Sequence, residues 1–150
     1  MPALGQPAPD FTLPSTAGTD VTLSSFRGKE NVLVAFFPAA FSGTCTAEMC
    51  ALSEDYSRFH AAGTRVLPIS VDAVPSLKAF KEKERMSVDL LSDFFRKTAR
   101  DYGVLAEENG TARRSYFLVD KQGVLRWSHV EAENGHRRED GELLERIGKL

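Results

Sequence analysis

The feature that most constrains this chain is an apolar run at residues 31–37, Asn-Val-Leu-Val-Ala-Phe-Phe, in which polar residues do not alternate with apolar ones. A short run of this kind, partly β-branched, is typical of a strand buried on both faces of a sheet. Residues 66–71 form a second such run, in which Pro68 predicts an irregularity such as a bulge. Two strands of this type need helices packed on both faces of their sheet, so we expect an α/β protein.

Helical and extended patterns alternate along the rest of the chain. Helices are predicted over residues 44–62, 75–86, 94–102 and 142–150, and strands over residues 88–91, 116–119 and 124–130. Helical crossovers impose parallel pairing, whereas the last two strands, joined by a tight turn, are antiparallel. Two short alternating pieces, residues 11–13 and 21–23, predict a small hairpin. We therefore expect one domain over residues 1–150, with a mixed central sheet flanked by helices and an N-terminal β-hairpin extension.

Composition and charge argue against several classes of function. With a net charge of -2, the chain gives no reason to expect the basic face that nucleic-acid binding requires. The longest apolar run, residues 32–41, is too short to cross a membrane and is broken by Pro38. No secretory signal is visible, which favours the cytoplasm. Two cysteines and three scattered histidines lack metal-ligand spacing, so we expect no metal site.

The segment with the clearest chemistry is residues 38–50, which contains both cysteines. It follows the first buried strand, and in open α/β sheets ligands bind beyond the carboxyl ends of the strands. Cys45 is predicted to lie in or just before the first turn of a helix. Unpaired backbone N–H groups and the helix dipole favour a thiolate over a thiol at that position. In a reducing compartment the two cysteines are expected to be reactive or merely buried rather than joined in a structural disulfide.

Forming a thiolate does not by itself make an efficient redox catalyst. A free thiol is only about 3% ionised at neutral pH, so complete ionisation gains about thirtyfold in reactive species, or about 2 kcal/mol. The remainder of the rate must come from hydrogen-bond donors that stabilise the negative charge on the leaving group of the reaction. Nearby hydroxyls are those of Ser42 and Thr44, and the candidate cations are Arg113 and Arg114. The residues alone leave the choice between the two arginines open.

The spacing of the two cysteines makes a specific prediction about motion. Cys45 and Cys50 are five residues apart on one predicted helix, which separates their Cα atoms by about 8–9 Å. A disulfide needs about 4.4–6.8 Å. The two sulfurs can therefore bond only if the start of the helix unwinds, which predicts a folded state that meets the oxidant and a locally unfolded state that closes the disulfide. The alternative is that Cys50 is a small buried hydrophobic residue.

At these positions the chain resembles the peroxiredoxins. Their motif places a proline, three residues, a Thr or Ser, two residues and then the peroxidatic cysteine, as in Pro38, Ser42 and Cys45. With its second cysteine at Cys50, the chain resembles the peroxiredoxin Q branch, also called bacterioferritin comigratory protein, whose resolving cysteine lies on the same helix. The resemblance covers nearly the whole chain and includes residues 23–29, 90–93, 101–104 and 114–120.

The resemblance implies a thioredoxin-like fold and reduction of hydrogen peroxide and organic hydroperoxides without a cofactor. Cys45 would be the peroxidatic residue and Cys50 the resolving residue, with thioredoxin or a similar dithiol as the reductant and a monomer or weak homodimer as the assembly. It also selects Arg114 as the active-site arginine. Pro38 would shield the thiolate, Ser42 would supply the hydroxyl that bonds thiolate and substrate, and the amides of Thr44 and Cys45 would help to hold the peroxide.

Ser42 differs from the usual family residue, and Glu48 has two possible roles. The family usually has Thr at the position of Ser42, so the hydroxyl is kept but the methyl group that restricts its rotamer is lost. Glu48, assigned to substrate binding, lies near the start of the predicted helix. It is either an acid that stabilises the helix dipole or a group that handles protons at the active site.

Other functions fit parts of the pattern. A one-cysteine peroxidase would leave Cys50 structural, and a redox sensor or binding module would use oxidation of Cys45 as a signal to a partner. A thioredoxin-type disulfide exchanger is disfavoured because the two-residue spacing between its cysteines is absent.

Overall fold

The computed structural model describes residues 1–133 and 135–150. Its strands in chain order are β1 (Thr12–Pro14), β2 (Asp20–Thr22), β3 (Asn31–Phe36), β4 (Thr64–Ser70), β5 (Leu91–Ser92), β6 (Leu105–Ala106), β7 (Thr111–Ala112), β8 (Ser115–Val119) and β9 (Leu125–Val130). Its helices are α1 (Gly43–Glu54), α2 (Tyr56–Ala61), α3 (Val74–Glu84), α4 (Lys97–Asp101) and α5 (Asp140–Ile147), with a 3-10 turn over Leu23–Phe26.

The central sheet has five strands in the order β5-β4-β3-β8-β9. Strands β3, β4 and β5 are parallel, because helical crossovers join them, whereas β8 is antiparallel to both β3 and β9. The predicted N-terminal hairpin is the antiparallel pair β1–β2. The mixed sheet flanked by helices and the N-terminal hairpin are therefore confirmed.

Strand β3 is buried on both faces, as its apolar run predicts. Leu33, Ala35 and Phe37 belong to one apolar cluster, together with side chains from α1, α3 and α5. Val32, Val34 and Phe36 belong to the other, together with the N-terminal segment and α4. Because successive side chains of a strand point to opposite faces, the run fills two cores at once.

Pro68 is accommodated in β4 without the predicted bulge beside β3. Residues 31–36 pair with residues 64–69 in unbroken parallel register, with Ala35 opposite Pro68. The carbonyl of Ile69 accepts from the Phe37 N–H, so the Pro68 nitrogen points the other way, towards β5. Pairing with β5 begins only at Ile69, so the missing N–H of Pro68 interrupts no ladder bond.

The predicted long helix over residues 44–62 is two helices, α1 and α2, that meet at Asp55. Asp55 has φ -93° and ψ 8°, outside the helical range, and its carbonyl accepts from the N–H groups of Arg58 and Phe59 to start the second helix. Asp55 is therefore the only residue between the two helices.

Other predicted bounds were also wrong in detail. The helix predicted over residues 94–102 is only Lys97–Asp101, because Arg96 takes a left-handed φ of 65° and the Asp93 carboxylate accepts from the N–H groups of Thr98 and Ala99. The strand predicted over residues 88–91 is Leu91–Ser92, since the Leu90 backbone bonds to Thr16 instead of to β4. The last helix begins at Asp140 and ends at Ile147, and the short β6–β7 pair was not predicted.

Candidate active site

Cys45 lies in the first turn of α1, beyond the carboxyl end of β3. Residues 38–42, here called the cysteine loop, connect the two elements, and Phe41 within it takes a left-handed φ of 66°. The first backbone bond of the helix runs from the Thr46 N–H to the Ser42 carbonyl at 2.8 Å. The amides of Gly43, Thr44 and Cys45 precede that bond, so they are the N–H groups that a helix start leaves for an anion.

Arg114 reaches the cysteine from the neighbouring strand. Ser115, the first residue of β8, pairs with Phe36, the last residue of β3, which places Arg114 at the same sheet edge as the cysteine loop. Its Nη2 donates to the Cys45 Sγ at 2.9 Å. Cys45 is 0% exposed and Arg114 is 1% exposed, so water does not screen this contact.

Glu48 and Tyr116 complete a buried network around that guanidinium. Arg114 Nη1 donates to Glu48 Oε1 at 2.8 Å, and the Tyr116 hydroxyl donates to Glu48 Oε2. The backbone N–H of Arg138 in turn donates to the Tyr116 hydroxyl at 3.0 Å. Glu48 lies three residues after Cys45, one turn along the same face of α1, and faces the arginine for that reason. We call Cys45, Glu48, Arg114 and Tyr116 the thiol pocket.

The electrostatics of the thiol pocket follow from burial and from these contacts. Burial raises the pKa of Glu48, and Arg114 and the Tyr116 hydroxyl oppose that rise only in part. Burial, together with Glu48, raises the pKa of Tyr116 far above its ordinary value. Burial alone would lower the pKa of Arg114, but Glu48 and Cys45 outweigh it and the net shift is upward. The Arg114 guanidinium therefore lies between an acid and a sulfur, and all three groups are buried.

Glu48 is thus not an exposed acid at the helix start. It is the sixth residue of α1 and 1% exposed. It contacts the guanidinium and the phenol rather than the helix N–H groups, so stabilisation of the dipole is not its main interaction. Both of its oxygens accept from buried donors, so its contacts are those of a carboxylate paired with Arg114.

The cysteine loop is held from the side by Asp72, which follows β4. Asp72 Oδ2 accepts from the Ala40 N–H at 2.9 Å and from the Ser70 hydroxyl at 2.7 Å. Pro38 is buried where the loop leaves β3. The Ser42 hydroxyl is exposed and donates to the Ala39 carbonyl at 3.1 Å, so in this state it bonds the loop and not the sulfur.

Cys50 lies in the same unbroken helix as Cys45, and both are free thiols in this structure. It is half-buried, and its Sγ lies 3.7 Å from Glu84 Oε2 on α3. Because α1 is regular from Gly43 to Glu54, the separation of about 8–9 Å between the two Cα atoms applies to this state.

Sequence reasoning missed three side chains of this region. Tyr116 had a usable signal, because it lies two residues after Arg114 along an extended segment and so shares its face. Asp72 and Glu84 gave no signal in the sequence, since only the packing of α3 and β4 against the cysteine segment brings them near.

Within residues 1–133 and 135–150, no group of three or more His, Cys, Asp or Glu side chains could hold a metal ion. None of the helices in those residues has the length and apolar character needed to cross a membrane.

A buried cysteine at a helix start that faces a guanidinium, on a mixed sheet flanked by helices, defines the class of thiol-dependent redox proteins. The AhpC/TSA family matches residues 4–128, and the chain belongs to that family, the peroxiredoxins, which are thiol-dependent peroxidases.

Named relatives support the predicted branch. The chain is 38% identical over 130 residues to alkyl hydroperoxide reductase E of Mycobacterium tuberculosis, covering 85% of each chain. It is 40% identical over 124 residues to chloroplastic peroxiredoxin Q of Oryza sativa subsp. japonica, covering 82% of this chain and 57% of the relative. It is 34% identical over 155 residues to a Coxiella burnetii protein named peroxiredoxin bcp, covering 98% of this chain and 97% of the relative. The predicted resemblance is confirmed.

Solved structures confirm the thioredoxin-like fold of the family. The reduced 2-Cys peroxiredoxin of Plasmodium vivax superimposes with a TM-score of 0.91 at 28% identity, covering 98% of this chain and 81% of that one. The AhpC structure of Enterococcus faecalis gives a TM-score of 0.91 at 26% identity, covering 99% of this chain and 92% of that one.

Proposed function

We propose that this protein reduces hydrogen peroxide and organic hydroperoxides through a two-cysteine cycle. The Cys45 thiolate attacks one peroxide oxygen, the O–O bond breaks, and the products are a sulfenic acid on Cys45 and an alkoxide or hydroxide that takes up a proton. Cys50 then attacks the sulfenic sulfur, forming an intramolecular disulfide and releasing water. The hydrogen bond from Arg114 to the Cys45 sulfur is the observation that carries this proposal.

The roles of the surrounding groups follow from where charge develops. Arg114 stabilises the thiolate before the reaction and the departing oxygen as the O–O bond breaks. The amides of Thr44 and Cys45 at the start of α1 are donors for the peroxide. Ser42 reaches the thiolate and the substrate when its hydroxyl leaves the Ala39 carbonyl, and Pro38 keeps solvent from the sulfur.

Glu48 is proposed to act with Arg114 on the substrate side of the reaction. Its carboxylate accepts from Arg114 Nη1 at 2.8 Å and from the Tyr116 hydroxyl, which fixes the guanidinium beside the sulfur. The guanidinium held in this way can stabilise the alkoxide or hydroxide that departs as the O–O bond breaks.

Resolution requires local unwinding of α1. Two Cα atoms about 8–9 Å apart in a regular helix exceed the range of about 4.4–6.8 Å for a disulfide. The segment from Gly43 to Cys50 must therefore lose its helical structure after oxidation of Cys45. Thioredoxin or a similar dithiol reduces the disulfide, and α1 then re-forms.

The setting of this cycle is also a proposal. Residues 1–150 act as one catalytic domain, since the two apolar clusters pack on opposite faces of the same sheet. We place the protein in the cytoplasm, where dithiol reductants keep cysteines reduced, and we expect a monomer or weak homodimer that needs no cofactor.

Single-turnover oxidation followed by intact mass measurement tests the cycle. With one equivalent of hydrogen peroxide, the wild type should lose two hydrogens, Cys50→Ser should gain one oxygen, and Cys45→Ser should leave the peroxide unconsumed. A wild type that retains a sulfenic acid like that of Cys50→Ser would support a one-cysteine peroxidase with a structural Cys50. Stoichiometric oxidation without turnover in the presence of a thioredoxin system would support a redox sensor.

A further inference from the structure

Cys50 sits where α1 packs against the end of α3. Its Sγ lies 3.7 Å from Oε2 of Glu84, the last residue of α3, at hydrogen-bond distance for a thiol donor. The thiol is only half-buried, so water could solvate it, yet the acceptor in contact with it is a carboxylate. The chemistry described so far gives Glu84 no part in the reaction.

The charged groups around Cys50 oppose its ionisation. Burial raises the pKa of the Cys50 thiol, and Glu84 from α3 and Glu54 from its own helix raise it further. Within the residues that the structure describes, the charges acting on this sulfur are those two acids. Cys45 is in the opposite situation, because the charged group in contact with its sulfur is the Arg114 guanidinium. The folded helix therefore presents one sulfur to a cation and the other to anions.

The contacts of α1 also show which bonds at its end would survive unwinding of its first two turns. Beyond Cys50, the Ser53 hydroxyl lies 3.0 Å from the Ser87 hydroxyl, the Ser87 N–H donates to Ser53 Oγ at 2.6 Å, and the Ser87 hydroxyl donates to the Ser53 carbonyl at 2.8 Å. These bonds hold the end of α1 against the segment that follows α3. Unwinding from Gly43 to Cys50 leaves them intact but must break the contact between Cys50 and Glu84.

We propose that Glu84 is a positioning residue for the resolving step, holding Cys50 as a protonated thiol against α3 until the start of α1 unwinds. This inference rests on the proposed two-cysteine cycle. Once Cys50 has left the carboxylate, it attacks the sulfenic sulfur: the S–S bond forms, the S–O bond breaks, and the hydroxyl group leaves with the thiol proton as water. Oxidant therefore meets Cys45 while Cys50 stays unreactive.

Alkylation of Cys50 by iodoacetamide, measured from pH 6 to 10 in a Cys45→Ser background, tests this role. Glu84→Gln should move the pH midpoint of the reaction down and raise the rate at pH 7.5 by about fivefold, because one negative charge next to the sulfur is lost. Glu82→Gln is the matched control, since Glu82 is on the same helix but exposed, and it should leave the profile unchanged. A Glu84→Gln profile that coincides with the control would overturn the inference.

A second measurement separates this inference from the proposed function. With Cys45 present, Glu84→Gln should form the disulfide faster than the wild type after a pulse of hydrogen peroxide, because the contact that holds Cys50 is weakened. A wild type that never forms the disulfide would overturn the two-cysteine cycle, whatever the alkylation profile. A normal disulfide with slower closure in Glu84→Gln would overturn the role of Glu84 alone.

Discussion

The Arg114 guanidinium donates a hydrogen bond to the Cys45 sulfur at 2.9 Å, and neither side chain is more than 1% exposed. Its other terminal nitrogen donates to Glu48 at 2.8 Å. A guanidinium can serve both acceptors because its N–H groups form a rigid planar fork, which an ammonium lacks. The geometry of the thiol pocket therefore depends on arginine specifically, and not only on a positive charge.

Replacement of Arg114 by lysine should lower kcat/KM for hydrogen peroxide by about 100-fold, because one ammonium cannot hold the acid and the sulfur in the same geometry. Arg113→Lys is the control, since Arg113 is adjacent in sequence but exposed. Steady-state kinetics with a coupled dithiol system measures both. Wild-type kinetics in Arg114→Lys would contradict the role given to the guanidinium.

Loss of the Glu48 side chain should destabilise the fold. Glu48→Ala leaves the buried Arg114 charge and the Tyr116 hydroxyl without their carboxylate, which we expect to cost about 3–5 kcal/mol. Glu48→Gln keeps the shape and one acceptor and should cost less. Urea unfolding of both variants, with the exposed Glu54→Ala on the same helix as a control, measures the difference. Equal stability of Glu48→Ala and the control would show that the ion pair contributes nothing.

Asp72 should matter for rate more than for stability. Asp72→Ala removes the acceptor of the Ala40 N–H and so frees the cysteine loop, and we expect kcat/KM to fall by about tenfold. The exposed Asp20→Ala serves as the control for loss of one carboxylate. Kinetics and thermal unfolding should be measured together. A variant that loses stability but keeps its kcat/KM would argue for a purely structural Asp72.

Weakening of α1 should speed resolution. Ala47 is exposed and lies between the two cysteines, so Ala47→Gly lowers helix stability by about 1 kcal/mol without disturbing a packed side chain. Disulfide closure after a peroxide pulse should then be about fivefold faster, as followed by quenched-flow mass measurement. Ala79→Gly makes the same change at an exposed position of α3 and should have no such effect. Equal closure rates in the two variants would mean that unwinding of α1 does not limit resolution.

Asp140 should make stability depend on pH. It is 5% exposed at the start of α5, and its carboxyl oxygens have no hydrogen-bond partner within the described part of the chain. Burial, with the nearby Asp55 carboxylate, raises the pKa of Asp140 to about 7. In the unfolded chain the ordinary value is about 3.9. The folded protein therefore binds the extra proton between these two values, and stability falls as pH rises through that window and then levels off.

The expected size of this effect is an upper bound of about 4 kcal/mol, from a difference of about three pKa units. Urea unfolding should show Asp140→Asn to be more stable than the wild type at pH 8, with little difference at pH 4. Asp20→Asn, at an exposed position, should follow the wild-type profile. A wild-type advantage over Asp140→Asn that grows with pH would reverse the assigned sign.

Short-range chemistry explains why much of the fold could be predicted. The apolar run at residues 31–37 predicts a strand buried on both faces, because its successive side chains point to opposite faces and those of residues 32–37 are all apolar. In the structure, β3 has one apolar cluster on each face. The prediction of β5 failed because its backbone found a partner far away in sequence. The Leu90 backbone bonds to Thr16, which shortens β5, and no local pattern reveals such a contact.

The sequence by itself determined the position of Cys45 at a helix start, the spacing of Cys50 and the family resemblance, since these depend on residues adjacent in the chain. Only the tertiary structure decided that Arg114 reaches Cys45, that Glu48 is buried against it, and that Glu84 contacts Cys50. The physical reason is that charge interactions are set by distance and burial, and both depend on how strands and helices distant in sequence pack together.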